Sequence, residues 1–167
     1  MADSIEMYST GKGYVQSAFS MMDNPGRMLL KDDTSLFLGF HMLLGFATEL
    51  YLKSYLLTVG MTEKQLRSAA LRHDLEALWQ EADARGFHDK SVYPLISYLH
   101  TGHKNFEFRY MSRLTTYNIP PDLNILFNWL TQLDIATDTA SGASASKGRV
   151  PGSGWIFSLV IAKWRLP

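Results

Sequence analysis

The chain has 167 residues, no cysteine, and 16 basic against 16 acidic side chains, so its formal charge is zero. Disulfides and thiolate metal sites are excluded, and strong non-specific affinity of the whole surface for nucleic acid is disfavoured, although a local basic groove is not. The length suits one domain burying about 70% of its unfolded surface. The start, Met1-Ala2-Asp3-Ser4-Ile5-Glu6, lacks the basic and apolar runs of a signal peptide, and with the missing cysteines it points to a cytoplasmic setting.

Residues 4–22 read as a modest amphipathic segment interrupted by Gly11 and Gly13, and Asp23-Asn24-Pro25-Gly26 as a turn. Asp33 or Thr34 is placed to cap a long helix running to Val59, apolar nearly all round and therefore central, with Gly60 at its C′ position. The stretch 36–57 is the one membrane candidate, but it carries His41, Glu49 and Lys53. Either charge at a bilayer centre costs about 2.5–3.5 kcal/mol, so a buried bundle helix and no membrane are expected.

Thr62 caps a short helix through Arg67, and Asp74–Arg85 repeats Leu75, Leu78, Trp79 and Ala82 at helical spacing up to Gly86. Val92–Leu99 gives another short helix, followed by a long connection from Thr101 to Pro121. Pro120-Pro121-Asp122 opens a last long helix through residue 138. The composition of 140–154 is that of a flexible linker, and Trp155–Trp164 forms an apolar tail that must dock on its own bundle or on a neighbouring subunit. The expected layout is a helical bundle over 1–139, a linker over 140–154 and a docking segment over 155–167.

Three stretches carry a family resemblance. Phe46–Gly60 is an apolar helix with Glu49 and Lys53 one turn apart, and Arg72-His73-Asp74-Leu75 opens the next main helix. Phe108-Arg109-Tyr110 followed by a Pro-initiated helix adds to the pattern. Residues 33–138 thereby resemble the HEPN family of small all-helical domains. The resemblance implies an all-α antiparallel bundle of four to five main helices that recognises RNA or a nucleotide-like phosphate ligand. It also implies companionship with a nucleotidyltransferase-type partner, while the apolar tail Trp155–Trp164, otherwise a large exposed patch, points to a homodimer. HEPN ribonucleases resemble one another in an Arg and a His with four to six residues between them, commonly with a polar residue after the Arg; here Arg67, Ser68 and His73, with five residues between Arg and His, fit that pattern.

The same residues have readings of their own. Glu49 and Lys53 pair at i, i+4, either organising a site or locking helix register. His73 and Asp74 lie at a helix start, where capping is one use. Catalysis is the other: a neutral imidazole takes the proton of a ribose 2′-OH and a guanidinium steadies the phosphate, with no metal or cofactor. Residues 98–113 interleave basic and aromatic side chains, suited to stacking bases and holding phosphates or to anchoring the loop. Catalytic candidates are thus Arg67 and His73, and site-organising or ligand-binding candidates are Glu49, Lys53, Asp74, Arg109 and Tyr110. His88, His100 and His103 lack a carboxylate pattern and make a poor zinc signal. The competing function is a non-catalytic interaction module.

Overall fold

The structure, a computed structural model, describes residues 3–109, 122–155 and 164–165. All regular elements among them are helical: α1 (Ser4–Asp23), α2 (Thr34–Thr58), α3 (Glu63–Leu66), α4 (Leu75–Ala84), α5 (Tyr93–Lys104) and α6 (Leu123–Ser141). Tyr110 and the rest of 110–121, together with 156–163, lie outside the described residues.

Capping chemistry sets most boundaries. Asp3, Thr62, Asp74 and Asp122 each accept a backbone N–H of the helix they open, and Thr62 completes a capping box with Gln65. Gly60 and Gly86 adopt φ of 91° and 97° just beyond α2 and α4, in the region that favours glycine. At α2 the expected cap differs. Asp33 gives no side-chain cap bond, and the Thr34 N–H instead reaches Asp32 Oδ1 at 3.0 Å. The Asp33 carboxylate is taken by Arg27 and Arg165.

Helix α2 is the central column, touching α1, α4, α5 and α6. At 25 residues it extends about 37 Å. Phe40, Leu44, Ala47, Tyr51, Leu52 and Leu56 on it are fully buried. Helix α1 runs antiparallel to it, since Ser54 bonds to Ser4, Tyr51 stacks on Tyr8, and Phe40 meets Phe19. Helix α6 runs antiparallel to α1 by the same logic, with Asp138 at Tyr8 and Phe127 at Phe19. Gly11 does not interrupt α1. A Cβ there would sit 3.1 Å from the Tyr51 ring, so the glycine's helix cost, about 1 kcal/mol, is offset by close approach to α2.

Two segments differ from their composition. Helix α5 continues five residues past Leu99, because Gly102 lets the Phe108 ring close against the helix. Residues 141–154 carry contacts that a free linker does not: Asp138 accepts from the Ser144 N–H at 2.7 Å, the Ser144 hydroxyl at 2.6 Å and the Gly152 N–H at 3.0 Å. The described ends of the apolar tail also rest on their own bundle. Trp155 meets Phe127, Trp164 packs on Phe37 and Phe40, and Arg165 closes on Asp33.

By length and composition, α2 is apolar enough to cross a membrane, yet 61% of its most apolar window is buried inside the bundle.

Candidate functional site

The chain from α3 to α4 places His73. Helix α3 stops at Leu66, the backbone turns twice over Ser68, and His73 adopts φ of 60° before Asp74 caps α4. That left-handed conformation costs a β-carbon residue roughly 1–2 kcal/mol. It coincides with the imidazole lying against α2, its Nδ1 2.9 Å from Glu49 Oε2.

Glu49 is the hub of a buried cluster. Lys53 Nζ donates to Oε1 at 2.5 Å, and His103 Nε2 lies 2.7 Å from Oε2. Burial alone would raise the Glu49 carboxyl, but hydrogen bonds from His103, Lys53 and His73, with the Lys53 charge, hold it down at about 2. An ionised carboxylate only accepts. Both imidazole nitrogens facing it therefore carry protons, and in neutral His73 the lone pair sits on Nε2. That ring is 23% exposed, and Nε2 has no partner among the described residues.

A cation shares this imidazole's aromatic neighbours. The Arg109 guanidinium lies over the Phe106 and Phe46 rings, 4.3 and 5.5 Å from their centroids. The His73 ring contacts the same two, at 5.5 and 6.5 Å between centroids. Arg109 forms no ion pair among the described residues. Phe106 adopts φ of 58°, so the two non-glycine residues with positive φ in the described chain touch each other here. Backbone strain of this kind clusters at working sites.

The expected partner of His73 goes elsewhere. Arg67 ends α3, is 75% exposed, and pairs with Glu63 one turn back. The turns lie between them, and among the described residues no hydrogen bond, ion pair or ring contact joins Arg67 to His73. Asp74 caps α4 and binds Lys104 at 2.7 Å. Burial pushes its carboxyl up, but Lys104, the Ala77 N–H and His100 outweigh this and lower it. Tyr110 lies outside the described residues.

In the sequence His103 stands out only in a poor zinc set with His88 and His100 and within the basic and aromatic stretch 98–113. Its carboxylate is 54 residues away on another helix, a pairing no local spacing signals. Gly45 is the one trace of it: a Cβ there would lie 2.5 Å from His103 Nδ1, so the helices meet at a glycine. Glu49, His73 and His103 offer ligand atoms within 4.8 Å of one another, a set able to hold a divalent ion. An ion would have to displace both imidazole protons and share Glu49 with the Lys53 ammonium, so the donor set fits a metal poorly.

No protein-family model, no curated protein and no solved structure matches the chain.

Proposed function

We propose that this chain is a HEPN-type RNA-binding domain that cleaves RNA without a metal. The observation that carries the reading is the Glu49-oriented His73, which shares the Phe46–Phe106 aromatic pair with Arg109. His73 Nε2 takes the proton from a ribose 2′-OH, and the oxygen attacks the adjacent phosphorus. The O2′–P bond forms, the P–O5′ bond breaks, and O5′ takes a proton from water. Products end in a 2′,3′-cyclic phosphate and a 5′-OH. Glu49 stabilises the imidazolium, and Arg109 neutralises the equatorial phosphate oxygens. Arg109 thus takes the place the sequence pattern gives to Arg67. The aromatic pair offers a stacking face for a base.

A mixed RNA pool in EDTA tests this. Cleavage persists in the wild type, His73→Ala abolishes it, and Arg109→Ala lowers it about 10²-fold or more. Arg67→Ala has a much smaller effect. A larger loss from Arg67→Ala than from Arg109→Ala would return the role to Arg67.

The second reading is a non-catalytic module that works as a homodimer or with a nucleotidyltransferase-type partner. One observation favours it: the Glu49 carboxylate is fully satisfied, as structural ion pairs are. RNA binding without cleavage, or neither, moves the assignment there.

A further inference from the structure

A second polar region lies away from Glu49, between α1 and the 143–154 segment. It is a cleft of about 300 Å³ lined by Ser9, Lys12, Gln16, Lys147, Arg149 and Ser153, among others, and no acidic side chain lines it among the described residues. Its walls are tied together. Lys12 Nζ donates to the Ser153 carbonyl at 2.5 Å, and Gln16 Nε2 to the Gly154 carbonyl at 2.6 Å. Lys147 and Arg149 flank Gly148, whose φ of 65° makes a tight turn, with the Arg149 N–H closing onto the Ser144 carbonyl at 2.9 Å.

The electrostatics of this cleft are lopsided. Asp134 and Asp138 lie behind it and are occupied. Asp134 accepts from Tyr51 at 2.8 Å and Lys12 at 3.2 Å, and Asp138 takes Tyr8, Ser144 and Gly152. The Lys147 and Arg149 side chains are exposed and make no ion pair among the described residues. The Ser153 hydroxyl, buried beside them, also lacks a hydrogen-bond partner. Two uncompensated cations, with hydroxyl and amide groups around a hollow larger than an inorganic anion, match a small dianion.

We propose that this cleft binds a small phosphate monoester, its phosphate held by Lys147 and Arg149 and its polar body by Ser9 and Gln16. The site does not depend on the cleavage reading, because none of these residues belongs to the Glu49 cluster.

Calorimetric titration of the full chain with ribose 5-phosphate at low salt tests it, with ribose, citrate and a short RNA oligonucleotide as comparisons. Saturable binding of ribose 5-phosphate is expected, with none for ribose and weaker binding of citrate. The surface double variant Lys147→Ala/Arg149→Ala, checked for unchanged helicity, should weaken binding by at least about tenfold, and His73→Ala should leave it unchanged. Absence of binding at about 10 mM overturns the proposal, as does equal affinity in the double variant. Citrate binding as tightly makes the site a general anion patch, and binding of the RNA alone makes it an RNA contact; either result also overturns it.

Discussion

His41 has the clearest residue-level consequence. It is fully buried, its Nδ1 2.7 Å from the Phe37 carbonyl and its Nε2 2.7 Å from the Tyr98 hydroxyl. Burial pushes the imidazole down to about 4 from an ordinary 6.5. Between these values the unfolded chain binds a proton that the folded chain refuses. The stabilisation is fully present above pH 6.5 and is lost as pH falls to about 4, amounting to roughly 3 kcal/mol. Urea unfolding across that window should show the loss, and His41→Gln should flatten the slope while lowering stability at pH 7. Glu49 acts in a lower window: its contribution is present above pH 4.5 and disappears as pH falls towards 2. Loss of stability confined to below pH 4.5 would show that His41 is not the sensor.

Lys12 poses a second residue-scale question, because it serves the buried network and the basic cleft together. Burial raises the Asp134 carboxyl, and the Lys12 charge opposes that rise. Lys12→Met leaves a buried carboxylate without its cation, so a loss of about 3–5 kcal/mol is expected in chemical denaturation. A change below about 1 kcal/mol would mean that Asp134 is held well enough by its tyrosines.

At the scale of elements, α2 dominates. Leu52 is fully buried in its middle, and Leu52→Ala should cost about 2–5 kcal/mol by transfer and cavity terms. A cost under about 0.5 kcal/mol would place it at the surface. Gly45→Ala is the finer probe. Its new methyl would meet the base of the His103 ring rather than a flexible tip, so α2 and α5 must part or His103 must leave Glu49. Under the cleavage proposal, the variant should weaken turnover while His73, Arg109 and Glu49 all remain. Unchanged turnover with a displaced His103 NMR signal would remove His103 from the site's support.

Over the whole molecule, the open question is what the apolar tail covers. Its described ends touch α1, α2 and α6 of the same chain, and Arg165 reaches Asp33 at 2.8 Å across 132 residues. Hydrogen bonds from Arg27 and Arg165 lower the Asp33 carboxyl, consistent with a firm closure. Truncation after Gly154 should therefore lower the melting temperature by several degrees, leaving the light-scattering mass per chain copy number unchanged. A dimer that becomes monomeric on truncation would give the tail the intersubunit role that a homodimer requires.

Much of the architecture was legible because its signals are local. Apolar residues at helical spacing mark α2, α4 and α6, and Thr62, Asp74 and Asp122 cap helices by reaching N–H groups two or three residues on. The Glu49–Lys53 pair follows from i, i+4 spacing in the same way. The sequence by itself thus determined an all-helical chain with a charged pair on its central helix. Only the tertiary structure decided what that pair meets. His103 joins Glu49 through the register of α2 against α5, which depends on clearance at Gly45. Arg109 comes to the aromatic pair shared with His73 through positive φ at Phe106, while the turn after α3 carries Arg67 away. Linker composition at 140–154 reflects the same limit: glycine and serine suit both mobile chain and tight turns, and the choice rests on the buried Asp138, whose burial no neighbouring residue encodes.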